Sequence, residues 1–145
     1  RDSKDFVIIA RTDARHVTGF EDMILRANLY REAGADVIFP EGLHDGDEFA
    51  RFMKESPGKT LANMTEFGKT EPITRDEFSA LGVSIVIYPL SLMRIAMRSV
   101  EDGLAALKKD GGFHGALSSM QNRKELYELL AYTPGERWDF PTNGR

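Results

Sequence analysis

Hydrophobic residues follow two alternating rhythms along these 145 residues. Four short runs start apolar and finish in a polar cluster: FVIIARTDA (Phe6 to Ala14), DVIFPE (Asp36 to Glu41), TLANMTEFG (Thr60 to Gly68) and VSIVIYPLS (Val83 to Ser91). Their nearly continuous apolar parts predict strands buried on both faces, as the strands of a parallel sheet are. Between the runs the period becomes helical. Phe20, Met23, Ile24, Ala27 and Tyr30 repeat at helix spacing between Thr18-Gly19 and about Gly34, and Phe49, Phe52 and Met53 do so between Asp45 and Glu55. Thr74, with Asp76 and Glu77 in the following turn, caps a short helix to Leu81. Met93, Met97, Val100, Leu104 and Leu107 form a stripe on the longest helix, Ser91 to Lys108. A last helix is predicted from about Ser118 to Ala131, before an irregular polar tail from Thr133 to Arg145.

Strand and helix alternate with a repeat of about 25 residues, the rhythm of a β/α barrel. Four βα units cover only one arc of a barrel and leave two open strand edges. The pattern therefore predicts an α/β fold, the C-terminal half of a TIM-type β/α barrel, with the other half absent, cleaved or on another chain. RDSKD leads directly into the first strand, which fits that reading. The alternative is a small four-stranded doubly wound domain. No Pro-rich linker interrupts the chain, so residues 1–145 are read as one partial-barrel domain that includes a helical region at about 113–132.

Composition narrows the function classes. The net charge is −4 with mixed signs, so no basic face invites nucleic acid or anionic lipid. There is no cysteine, which excludes a disulfide framework and a thiolate metal site and fits a reducing, cytoplasmic setting. No run approaches the roughly 18 apolar residues of a membrane span.

In β/α barrels the chemistry sits at the carboxyl ends of the strands. That rule selects Arg11, Thr12 and Asp13, then Glu41, then Asn63, Thr65 and Glu66, then Tyr88 and Ser91. An arginine, a carboxylate, an amide and hydroxyls suit a small, oxygen-rich polyanion. Arg11 can grip a carboxylate through two parallel hydrogen bonds, or form a structural ion pair with Asp13 or Glu41. Asp13 reads as a turn organiser. Glu41, directed away from the ladder by Pro40, can orient Arg11, transfer a proton or hold a metal-bound water. Asn63 and Thr65 lie on one side of an extended segment as neutral donors, with Met64 pointing the other way.

Two further arginines stand out by position. Arg94 lies in the first turn of the long helix, where a cation opposes the dipole unless an anion binds there. Met120, Leu126, Tyr127 and Leu130 define one face of the predicted last helix, with Arg123 near its centre, where a buried cation needs a partner. A solvated Arg94 and a snorkelling Arg123 are the plainer alternatives. His16, His44 and His114 are scattered, with no metal-ligand spacing.

The segments IIARTDA, GADVIFPE, LANMTEFG, the YPLS run leading to Arg94, and MQNRKELYE resemble the isocitrate lyase and phosphoenolpyruvate mutase superfamily, and its methylisocitrate branch in particular. The resemblance spans Asp5 to about Tyr132. It implies a Mg²⁺-dependent carbon–carbon lyase that splits 2-methylisocitrate into pyruvate and succinate. Carried over by position, Arg11, Glu41, Asn63, Met64, Thr65, Arg94 and Arg123 match substrate-contacting positions of the family. It further implies a di- or tricarboxylate substrate and a homotetramer in which the last helix packs on a neighbouring subunit. The family's metal-binding aspartates and its Lys-Cys-Gly-His loop, whose cysteine is the general acid, precede the matched segment, so no catalytic or metal residue is expected on this chain and the 145 residues alone are expected to be inactive. Other chemistries of the same fold, such as oxaloacetate hydrolysis, dimethylmalate cleavage or phosphonate chemistry, and a non-catalytic binding or assembly module are the competing readings.

Overall fold

Residues 5–138 are described by the computed structural model; the expected lead-in at 1–4 and the end of the expected tail, 139–145, lie outside the described residues. The chain divides into two units, Arg1–Ile95 and Ala96–Arg145. The first unit runs β1 (Ile9–Thr12), α1 (Ala14–Val17), α2 (Phe20–Glu32), β2 (Val37–Pro40), α3 (Gly46–Glu55), β3 (Leu61–Asn63), α4 (Arg75–Ala80) and β4 (Ile85–Ile87). Helix α5 (Ser91–Asp110) begins in it and continues into the second unit, which adds a 3₁₀ turn (His114–Ser119) and α6 (Arg123–Leu129).

The strands are parallel. β1 pairs with β2 in the register Ala10↔Ile38, β3 pairs with β4 in the register Ala62↔Val86, and a single bridge, Ile38↔Thr60, joins the two ladders. Strand order therefore follows chain order without the reversal that marks a doubly wound sheet. Because side chains alternate along a strand, Ala10, Ile38, Ala62 and Val86 share one face. That face joins a core with Met23 and Ala27 of α2, Phe49 and Phe52 of α3 and Phe78 of α4. The Phe49 and Phe78 rings meet edge to face at 5.1 Å, which ties α3 to α4.

Helix ends follow the sequence signals closely. Thr74 and Glu77 form a reciprocal capping box at the start of α4. Gly34 and Gly82, past the ends of α2 and α4, both have positive φ, where a side chain would be strained. Asp45 caps α3 by accepting the Glu48 amide at 2.9 Å.

Three expectations need correction. The first run forms a strand only over Ile9–Thr12, in register with Val37–Pro40, because β2 begins at Val37. The one-turn helix α1 intervenes before α2; four residues are too few to show a period. The last helix starts at Arg123, not Ser118, because Asn122 and Glu125 form a capping box there while Met120 is extended. Arg123 is thus the first helical residue and not the centre of an apolar stripe.

The second unit differs in packing. None of the residues of α5, the 3₁₀ turn or α6 is buried, although α5 has the expected apolar stripe, with Met97 52% and Leu104 61% exposed. Tyr127 and Tyr132 meet edge to face at 4.8 Å.

The two kinds of site should separate in unfolding experiments. Phe52→Ala, at a fully buried position, is expected to cost about 3–5 kcal/mol in urea denaturation. Thr74→Ala should cost only about 1 kcal/mol through loss of the cap.

Candidate active site

Arg11 leaves β1 on the face opposite Ala10, and the turn into α1 brings Asp13 back beside it. Arg11 Nε donates to Asp13 Oδ2 at 2.9 Å and Nη2 to Oδ1 at 2.7 Å. The same Nη2 lies 3.4 Å from Glu41 Oε2, and the guanidinium sits 4.8 Å over the Phe39 ring. The bond from Arg11 holds the Asp13 carboxyl below its ordinary range and raises Arg11 above its own. Both side chains are about half exposed, so the pair adds little stability and mainly fixes the direction of the guanidinium. Asp13 stands at the N-cap of α1 without capping it. The Thr12 hydroxyl accepts the Ala14 amide instead, at 3.2 Å.

Glu41 follows β2, and its amide donates to the Thr12 carbonyl at 3.0 Å. Continuing the Ile38↔Thr60 register sets Glu41 level with Asn63, and Asn63 Nδ2 donates to Glu41 Oε2 at 3.4 Å. Asn63 Oδ1 is buried and has no hydrogen-bond partner among the described residues. A buried amide oxygen left unpaired is costly, so its place at a strand end marks where a ligand hydroxyl or another donor would fit. Arg11, Glu41 and Asn63 are therefore brought together from three successive strands.

The turn after Glu41 is shaped by residues that sequence reasoning left scattered. At Gly42, with φ +81°, an added Cβ would fall 1.8 Å from His16 Nε2, so only glycine admits that ring. The His16 and His44 rings stack with centroids 5.6 Å apart. Beside them Arg15 donates to both oxygens of Glu48, Nε to Oε2 at 3.0 Å and Nη2 to Oε1 at 2.5 Å, while Glu48 Oε2 accepts the His44 amide at 2.9 Å. No local pattern joins Arg15 to a glutamate 33 positions away.

At the ends of β3 and β4 the structure adds a second cluster. Met64 is buried, its sulfur accepting the Ile73 amide at 3.4 Å, so it belongs to the core side of the strand. Thr65, Glu66, Thr74 and Tyr88 help line a cavity of 560 Å³. Ser91 Oγ donates to Glu66 Oε1 at 2.6 Å, and Arg94 Nη1 donates to the Glu66 carbonyl. The bond from Ser91, helped by the charge of Arg94, keeps the Glu66 carboxyl below its ordinary range. Arg94 is thus held by a loop carboxylate and carbonyl, a partner that the sequence pattern did not reveal. Arg123 lies in the second unit, exposed at the start of α6, where it lines a shallow groove with Tyr127 and Tyr132. Among the described residues no three histidine, aspartate or glutamate side chains converge as a metal-holding group.

The phosphoenolpyruvate phosphomutase family profile matches residues 1–108. A 2-methylisocitrate lyase of Aeropyrum pernix is 44% identical over 136 residues, which is 94% of this chain and 44% of the relative. A 2-methylisocitrate lyase of Bacillus subtilis is 44% identical over 92% of this chain and 44% of its own length. Among solved structures, an oxaloacetate acetylhydrolase superposes with a TM-score of 0.77 at 32% identity, covering 86% of this chain and 44% of that one. A phosphonopyruvate hydrolase in complex with oxalate and Mg²⁺ does so with a TM-score of 0.71 at 32% identity, over 90% of this chain and 47% of that one. The chain thus spans a little under half the length of the relatives that it matches.

The Arg15–Glu48 pair predicts an acid sensitivity. The bonds from Arg15 depress the folded-state pKa of Glu48 below its ordinary 4.5. The stability it contributes is therefore complete above that ordinary value and is lost as pH falls through the lower folded value. Glu48→Gln should cost about 1–3 kcal/mol at neutral pH. The gap to the wild type should close progressively in acid, as followed by urea denaturation across pH.

Proposed function

Because the chain belongs to the phosphoenolpyruvate phosphomutase family, we propose that it forms the carboxylate-gripping wall of a carbon–carbon lyase that cleaves 2-methylisocitrate into pyruvate and succinate. The observation that carries this reading is the convergence of Arg11, Glu41 and the unpaired Asn63 amide oxygen at three successive strand ends. The 44% identity to 2-methylisocitrate lyases, against 32% to the oxaloacetate acetylhydrolase, favours this substrate over oxaloacetate.

In this proposal Asn63 Oδ1 accepts the substrate hydroxyl and Thr65 supplies a neutral donor, whereas the Met64 amide is already given to the Ile87 carbonyl at 2.9 Å. Arg94 and Arg11 direct N–H groups at carboxylates. Cleavage leaves carbanionic charge beside a carboxylate of the departing succinate, and donors already fixed in place stabilise that charge without reorganising. Arg11 enters the site beside two carboxylates, Asp13 and Glu41. The local charge is therefore negative, and a bound anion needs a further cation beside it. No group of three or more histidine, cysteine or carboxylate side chains that could hold a metal ion is found among the described residues, and we assign the magnesium ligands to residues outside this chain.

Strands β1 and β4 each pair on one side only among the described residues. Ile9 and Ile85 on them are 46% and 38% exposed, whereas Val37 and Leu61 on the inner strands are buried. This supports completion of the arc to a TIM-type barrel by further βα units. The uncovered stripe of α5 supports packing, with exchange of the last helix, in a homotetramer. We further propose a role in propionate breakdown through the methylcitrate cycle, in the cytoplasm.

Calorimetric titration of the chain with succinate tests the wall. Binding is expected, and Arg94→Gln should weaken it by about tenfold or more, the loss of roughly one charge-assisted hydrogen bond. No succinate binding, or binding indifferent to Arg94→Gln, would overturn the reading. The 145 residues alone should release no pyruvate from 2-methylisocitrate, since they hold no cysteine to act as the acid. Pyruvate appearing in a coupled assay would refute that expectation.

A further inference from the structure

The loop after β3 is built in a way that its burial does not explain. Gly68 N–H donates to the Thr65 carbonyl at 3.2 Å, closing a four-residue turn with Glu66 and Phe67 at its centre. Phe67 has φ +62° in the third position, as a type II turn requires and as glycine usually provides. Its ring is 95% exposed, so no packing into a core compensates that backbone strain. The compensation comes instead from the first turn of α5. Arg94 lies 5.4 Å over the Phe67 ring and donates to the Glu66 carbonyl, while Ser91 Oγ donates to the Glu66 carboxylate at 2.6 Å. The second carboxylate oxygen lies 3.9 Å from Arg94 Nη1.

These contacts have a direction. The carbonyl that Arg94 uses belongs to Glu66, the second residue of the turn. The Ser91 bond pins residue 66, the pinned carbonyl takes up Nη1, and the guanidinium carbon lies 5.4 Å from the Phe67 ring centroid. The described contacts leave Nε and Nη2 of Arg94 unused, and two adjacent donors on one edge are the fork that grips a carboxylate. We infer that Glu66 is a positioning residue, anchored by Ser91, which holds Arg94 with its free edge presented to a substrate carboxylate. The inference rests on the proposed role of Arg94, and Glu66 itself need touch no substrate.

Side-chain NMR of the labelled chain tests this without any ligand. Arg94 Nε–H exchange and rotation about its Nε–Cζ bond should be slow in the wild type relative to Arg98, which pairs with Glu101 and Asp102 on its own exposed helix surface. Glu66→Ala and, independently, Ser91→Ala should bring Arg94 to the Arg98 rates, whereas Glu66→Gln, which can still accept from Ser91, should not. An Arg94 as mobile as Arg98 in the wild type, or unchanged in both alanine variants, would overturn the inference. Succinate titration gives the second arm: Glu66→Ala should weaken binding about tenfold, with Glu66→Gln close to wild type. Tighter binding by Glu66→Ala or Glu66→Gln would show an internal competitor for Arg94 and refute positioning. Succinate binding that ignores Arg94→Gln sinks the proposed function instead, and the exchange rates still decide the role of Glu66.

Discussion

Ile38 takes part in two ladders at once, paired with Ala10 on one side and bridged to Thr60 on the other. Its side chain is fully buried among helix residues, which fixes the parity of all four strands. A slip of one residue in any of them would send its core side chain to the opposite face. The same slip would turn Arg11, Glu41 or Asn63 into the apolar layer under α2, α3 and α4. Burial of one face therefore positions polar groups on the other, and the site is precise because the core is.

That dependence explains why the polar groups at the strand ends are already paired. Arg11 gives Nε and Nη2 to Asp13, and Arg94 gives Nη1 to the loop at Glu66. Half-exposed pairs of this kind contribute little to stability. What they do is restrict two long, rotamer-rich side chains before any anion arrives, which lowers the entropic cost of binding. Asn63 is the contrasting case. Its amide nitrogen is directed at Glu41 and its oxygen is left without a donor, so the site is pre-formed but not self-satisfied.

The two units differ in how their apolar residues are used. In the first, aromatic and aliphatic side chains of α2, α3 and α4 close over the sheet. In the second, α6 is capped and α5 runs for twenty residues, yet their leucines and α5's methionines stay exposed. Helices of that kind derive most of their stability from packing against something else. Their regularity comes from local signals such as the Asn122–Glu125 capping box.

Period, caps and turn residues were enough to locate the four strands and helices α2 to α5, because those signals act within a few residues of one another. The carboxyl-end rule then selected Arg11, Glu41, Asn63 and Thr65 without coordinates, since strand ends are visible in the apolar runs, and Arg94 stood out by its place in the first turn of the long helix. Local signals in conflict were harder to read. The periodic residues before Arg123 suggested an earlier helix start, and the cap at Asn122 overrode them. What no local pattern contained were the partners. Asn63 meets Glu41 across 22 residues, Ser91 meets Glu66 across 25, and Arg15 meets Glu48 across 33. Such pairings are decided by sheet register and by where the helices return the chain. The sequence by itself thus determined which side chains reach the working edge of the sheet, and only the tertiary structure decided which of them hold one another there.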